Sequence, residues 1–168
     1  MLGYAAGFVV GSWCWDVGVH PASVAKYARQ SANARHKPLL NIGCGVWGSC
    51  VATTFFGPFL CGDVNLDILS KEQLPASVKE IKNNIVYHGD IYEIPFRAKT
   101  FGAVFCSHVL ELIDEPRKAL DELYRVADEV FVVSLTKNLP HTLGHPTSRW
   151  LVEKQGKRFK ITDIRRSW

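Results

Sequence analysis

No C-x-x-C pair occurs in this chain of 168 residues, and its five cysteines, Cys14, Cys44, Cys50, Cys61 and Cys106, are odd in number. That excludes a regular disulfide frame and points to reduced thiols in a cytosolic protein. Repeats and low-complexity tracts are absent, and the apolar and charged fractions, 47% and 21%, are those of an ordinary soluble domain. Charge is missing from Met1 to Trp15, where Gly3, Gly7 and Gly11 recur every four residues. On a helix these glycines would form one smooth face for close approach of another helix. Trp13 and Trp15, with Lys26, Arg29, Arg35 and Lys37 beyond them, would suit a membrane interface. Yet fifteen helical residues reach only about 22 Å, short of a hydrocarbon core of about 30 Å. Asp16 ends the run, and a signal peptide would need a basic start and an Ala-x-Ala site. The expectation is an apolar segment packed on its own domain or on a second copy in a homodimer, without a transmembrane span. Any membrane association of an otherwise cytoplasmic protein would run through it.

The net charge of +4 is unevenly placed. Residues from Lys137 to Trp168 carry eight Lys/Arg against Glu153 and Asp163, a charge of +6, which leaves −2 for the rest. Such a tail could seat a weak anionic partner, RNA or lipid headgroups, or be a solvated basic surface. The length fits one domain with a real core. A lead-in helix is expected over Pro21 to Arg35, with proline in its first turn and Val24, Tyr27 and Ala28 at helical spacing. Residues 1–37 therefore read as an apolar segment plus this helix, and 38–168 as the main domain.

The informative stretch is Leu39-Leu40-Asn41-Ile42-Gly43-Cys44-Gly45-Val46-Trp47-Gly48. Its apolar start reads as a buried central strand. Gly43 and Gly45 let the backbone turn tightly and approach a ligand, and a helix starting near Gly48 would aim its free N–H groups there. Gly43-x-Gly45-x-x-Gly48 alone is a weak dinucleotide fingerprint. Three further elements follow in order. Val64-Asn65-Leu66-Asp67-Ile68 places a carboxylate about 20 residues on, at a second strand end. Ile85-Val86-Tyr87 leads into His88-Gly89-Asp90-Ile91. Phe101-Gly102-Ala103-Val104-Phe105-Cys106 forms a fourth strand ending in Ser107-His108.

These four ordered motifs, spanning Pro38 to Ser134, resemble the class I S-adenosylmethionine-dependent methyltransferases, in particular small members of the type 11 domain. The Leu-Asn-x-Gly-Cys-Gly start and the Ser-His-Val-Leu-Glu segment after strand four carry that likeness. It implies a Rossmann-like three-layer α/β sandwich, with a mostly parallel sheet in the order 3-2-1-4-5 and a truncated C-terminal edge. It also implies S-adenosyl-L-methionine as cofactor and a small-molecule or macromolecular methyl acceptor that no motif identifies. Asp67 would accept the ribose hydroxyls, Ile68 would pack on adenine, and Asp90 with Ile91 would take the adenine edge. Gly43, Cys44 and Gly45 would line the methionine part, with Ser107 near the departing methyl group. His108 would be the candidate catalytic base, a residue type suited to proton pickup near neutrality. It could equally pack or orient its loop, since methyl transfer often needs only alignment.

Two departures from the family pattern stand out. Asn41 lies where most of the superfamily has a carboxylate, so the acceptor oxygen stays and the charge is lost. Glu111-Leu112 stands where relatives commonly carry Glu-His. A non-catalytic cofactor-binding protein, and more remotely a nicotinamide-dependent oxidoreductase, are the alternative readings. The latter usually needs a second mononucleotide half or a substrate domain.

Elsewhere, a short helix is expected between Gly48 and Pro58, a second strand within Phe59 to Asp67 and a weakly patterned helix over Lys71 to Asn83. Asp114 is the expected N-cap of a helix with Pro116 in its first turn and Ala119, Leu120, Leu123 and Val126 as its buried stripe. Glu129 to Ser134 reads as a fifth strand, Thr147 to Gln155 as a helix and Arg158 to Ile164 as one last strand. His141-x-x-x-His145 sits among prolines and glycine, so no metal site is expected.

Overall fold

The computed structural model describes residues 20–44, 62–70, 72–74, 85–134, 149–156 and 158–164. The uncharged N-terminal segment, Gly45 and the rest of the glycine turn, the helix expected over 48–58, most of the one expected over 71–83, and the His141/His145 pair lie outside these residues, and 72–74, the described part of 71–83, is turn.

Within them, α1 (His20–Ala34) leads into β1 (Leu39–Ile42), β2 (Val64–Asp67), β3 (Val86–His88) and β4 (Phe101–Ser107). Then come α2 (Pro116–Val126), β5 (Ala127–Val133), β6 (Trp150–Gln155) and β7 (Arg158–Asp163). The first five strands form one sheet in the order β3-β2-β1-β4-β5, parallel at every junction. This is the expected order. Strand β1 is buried at all four positions and β4 at all seven, because neighbours flank both edges and layers cover both faces. Strand β3, at the outer edge, leaves Tyr87 exposed.

Alternation along the strands sorts the core into two layers. Leu40, Ile42, Val104 and Cys106 point toward Ala119, Leu120, Leu123 and Val126 of α2. Leu39, Ala103 and Phe105 pack with Ala25, Ala28 and Ala32 of α1. The alanine stripe lets α1 lie close to the sheet, and ion pairs pin its end. Arg35 bridges to Glu129 at 3.1 Å, and Lys37, just beyond the helix, to Asp128 at 2.8 Å. The result is a three-layer α/β sandwich. Among the described residues no helix is long and apolar enough to cross a membrane.

Three local expectations are corrected. Asp114 does not cap α2: Glu115 occupies the N-cap position without a side-chain cap. The Glu115 N–H instead donates to the Tyr92 hydroxyl at 2.9 Å, while Asp114 pairs with Arg149. The stretch expected as a helix from Thr147 is strand β6 from Trp150 onward. Finally, among the described residues two strands follow β5 where room for one was expected, and they pair antiparallel in a sheet of their own. The reason is a two-residue period. Trp150, Val152, Phe159 and Ile161 share one face of the hairpin, with Val152 opposite Ile161, and all four join the core on the α2 side. Gly156 makes the turn at φ +61°, a conformation that favours glycine. Strand β5 therefore remains the last strand of the main sheet among the described residues.

Candidate cofactor-binding site

Parallel strands deliver their polar ends to one edge of the sheet, and a crevice forms where the strand order reverses, here between β1 and β4. Next to that edge lies a cleft of about 260 Å³. Its walls include Gly43 after β1, Asp67 and Ile68 at the end of β2, and Asp90 and Ile91 after β3. Five residues expected at a cofactor site are thus brought together.

Each has a local reason to be there. Gly43 turns at φ +72°, and a Cβ on it would lie 2.3 Å from Val109 Cγ2. Only glycine fits between the end of β1 and the segment after β4. The Gly43 N–H donates to the Leu66 carbonyl at 2.9 Å, which ties the turn to β2. Asp67 is 5% exposed. Its Oδ1 accepts the Leu69 N–H at 2.9 Å and shapes the loop behind it, whereas Oδ2 is buried without a partner among the described residues. A buried carboxylate oxygen without a donor is costly, and a hydroxyl-bearing ligand would relieve the cost. Ile68, by contrast, is 64% exposed at the rim, an apolar surface open for a planar ring to cover.

Asp90 starts a turn in which its Oδ1 accepts the Tyr92 N–H at 2.9 Å. The loop that follows is firmly held. Arg125 on α2 donates to the carbonyls of Ile94 and Phe96, both at 2.8 Å, and to Glu122 through two nitrogens at 2.7 Å. Glu122 accepts the Ile94 N–H in turn. Phe96 meets Tyr87 and Phe101 edge-to-face, with centroids 5.3 and 5.1 Å apart. Ile91 is buried behind Asp90.

The remaining expected residues stand beside the cleft and do not line it. Asn41 is buried, and its amide nitrogen donates to Asn65 Oδ1 at 2.9 Å. Asn65 also accepts the Gly62 N–H and donates to the Ile85 carbonyl, so the pair is a polar bracket beneath β1 and β2. Cys44 is buried against Leu74. Ser107 is buried at the end of β4. His108 follows at φ +54°, a strained backbone for a residue other than glycine. Its N–H donates to the Val133 carbonyl, and its Nδ1 lies 2.9 Å from Glu111 Oε1. Gly45 lies outside the described residues.

Sequence reasoning missed Val109, Ile113 and Asp114 as walls of the cleft and Glu111 as the partner of His108. A His and a Glu three residues apart were a visible cue to the second. Cys106 is inert packing. Burial first, and then the Glu111 carboxylate, push its thiol well above the ordinary range.

The cleft is electrostatically one-sided. Asp67, Asp90 and Asp114 face it, and no Lys or Arg lines it among the described residues. Such a cleft favours a ligand with hydroxyl or amino donors and a positive centre over one rich in phosphate.

Comparison with known proteins fits this geometry. The family profile described as "Methyltransferase domain" matches residues 40–129. The Bacillus subtilis (strain 168) protein YrhH, described as a methyltransferase, is 38% identical over 65 residues, covering 38% of this chain and 36% of its own. Ajmaline N-methyltransferase of Rauvolfia serpentina is 25% identical over 126 residues, covering 66% of this chain and 42% of its own. The plantazolicin methyltransferase BpumL, solved in complex with a pentazolic desmethylPZN analog and SAH, shares the fold at a TM-score of 0.51 and 16% identity. That match covers 81% of this chain and 52% of BpumL. The chain thus spans less than half the length of the curated relatives it matches.

Proposed function

Because the chain belongs to the class I S-adenosylmethionine-dependent methyltransferases, we propose that the cleft binds S-adenosyl-L-methionine and that the protein transfers its methyl group to an acceptor seated beyond the ends of β4 and β5. The observation that carries this reading is the buried, unpartnered Oδ2 of Asp67 beside the exposed apolar face of Ile68. Together they offer a hydroxyl acceptor and a ring platform, the two things an adenosine needs.

The residues present fit the cofactor. Asp67 would hold the ribose hydroxyls, Ile68 and Ile91 would flank the adenine, Asp90 would accept its amino hydrogen, and Gly43 would leave room for the methionine end. When bound, the cofactor supplies an electrophilic methyl group on a sulfonium. The acidic lining of the cleft suits that positive charge and suits the phosphates of a nicotinamide dinucleotide poorly. Asn41 belongs to this site as the neighbour below: its amide braces β1 against β2 and so sets the position of Gly43.

Titration calorimetry of the whole chain with S-adenosylmethionine, S-adenosylhomocysteine and NAD tests the reading. Binding of the first two without NAD supports it, and binding of NAD alone would replace it with the oxidoreductase.

A further inference from the structure

The segment from Val109 to Asp114, between β4 and α2, is neither helix nor strand, yet Val109, Ile113 and Asp114 wall the cofactor cleft. Backbone groups outside a regular ladder need partners from elsewhere to stay in one place. Here they come from the entrance to the C-terminal hairpin. The Arg149 N–H donates to the Glu111 carbonyl at 2.7 Å, and the Trp150 indole Nε1–H donates to the Ile113 carbonyl at 2.7 Å. The Arg149 guanidinium pairs with Asp114. One wall of the cleft is thus fastened to a hairpin of which no described residue lines the cleft. Resting on the methyltransferase reading, we propose that Trp150 is a positioning residue for the cofactor. Its indole N–H holds the Ile113 carbonyl and so keeps Ile113 and Asp114 where the bound S-adenosylmethionine meets them.

Of the three contacts, the indole bond is the one that depends on a side chain with a fixed anchor. The side chains of Arg149 and Asp114 are 41% and 78% exposed, so water competes for that ion pair and it contributes little. The bond from the Arg149 N–H is main chain and is available to almost any residue at that position. Trp150, by contrast, is half-buried and packs against the core shared by the sheet and α2. Its strand is held there by the buried cross-strand pair of Val152 and Ile161. Indole nitrogen is a donor only, which matches a carbonyl and nothing else in the Ile113 peptide. Ile113 packs against the same core, so a shift of its carbonyl carries the apolar wall with it. The segment is therefore set at one end by Val109 against Gly43 and at the other by Trp150. Coupling of this kind is reciprocal: a bond that strengthens ligand binding is itself strengthened by the ligand.

The test is proton–nitrogen NMR of the indole N–H groups in the full chain, with Trp150 assigned through its own backbone. Saturating S-adenosylhomocysteine should shift the Trp150 indole resonance and slow its hydrogen exchange by about fivefold. By calorimetry, Trp150→Phe, which keeps a ring and removes the donor, should weaken S-adenosylhomocysteine by about fivefold. Val152→Ala is the comparison, since it cuts the packing of the hairpin and leaves the indole bond in place. It should lower Tm while affinity stays within about twofold of wild type. A loss of affinity in Val152→Ala as large as that in Trp150→Phe would reduce Trp150 to a packing residue and overturn the proposal. An indole resonance unchanged in position and exchange at saturation would do the same, and that result needs no variant to fold. Both outcomes leave the cofactor reading standing. Failure of the wild-type chain to bind S-adenosylhomocysteine would instead remove the cofactor reading, and the proposal with it.

Discussion

Val109 Cγ2 lies 2.3 Å from the place where a Cβ on Gly43 would stand. The end of β1 and the segment after β4 are therefore locked together through a hydrogen atom, and the floor of the cleft depends on that contact. Gly43→Ala meets two penalties: a left-handed φ costing about 1–2 kcal/mol, and a clash that displaces Val109. Thermal unfolding should show a loss of several degrees. Adding Val109→Ala should recover only part of it, because the backbone penalty stays. Full recovery in the double variant would mean that sterics alone fix this position.

Asn41→Asp should destabilise the protein. The new carboxylate oxygen would face Asn65 Oδ1, and Asn65 cannot turn its amide without giving up the Gly62 and Ile85 bonds. A buried unpaired acceptor of this kind costs about 1–3 kcal/mol, more when charged. Denaturant unfolding measures the loss, and an unchanged midpoint would show that the bracket is dispensable.

Acid should unfold the protein through its ion pairs. The Arg125 hydrogen bonds hold Glu122 below its ordinary value of 4.5, and Lys37 holds Asp128 below 3.8. Burial works against the charge of Asp63, yet Arg29 and the Leu39 N–H keep it below 3.8 as well. For each of these groups the unfolded chain binds its proton first as pH falls, so stability rises with pH in this window. It is fully present above the unfolded values and is lost as pH drops through the lower folded ones. Glu122→Gln should make that loss shallower and cost about 1 kcal/mol near neutral pH, since the pair is partly exposed. Because Glu122 and Arg125 also anchor the loop that carries Asp90, the same variant should weaken cofactor binding. An acid unfolding curve identical to that of wild type would exclude Glu122 from the acid response.

Much of the fold was legible in the sequence where a rule had a single solution. Leu39 to Ile42 reads as a buried strand, Asp67 and Asp90 fall at successive strand ends, and the family resemblance that these motifs carry implied the order 3-2-1-4-5. The C-terminal hairpin was obscured because Trp150 to Gln155 is short and holds apolar residues at neighbouring positions. Helix and strand look alike in such a run until Phe159 and Ile161 supply the partner strand. Asp114 is a favoured capping residue in isolation, but Arg149, 35 residues away, engages it, and the Tyr92 hydroxyl takes over at the helix start. The burial of Glu111 was equally hidden, since its donor Ser134 and the Arg149 N–H arrive from β5 and the hairpin. Local pattern carried the sheet, and long-range polar contacts decided the remainder.

The cofactor reading rests on Asp67, whose Oδ2 is buried and without a donor among the described residues. Calorimetric titration of S-adenosylhomocysteine into wild-type protein, Asp67→Asn and Asp67→Ala is the direct measurement. Hydrogen bonds to a charged acceptor contribute about 1.5–3 kcal/mol, so affinity should fall by about tenfold or more in both variants. Methylthioadenosine, which keeps the ribose and lacks the amino-acid end, should lose affinity by the same factor. Equal affinity in wild type and folded Asp67→Ala would contradict the placement of the ribose, and with it the use of this cleft.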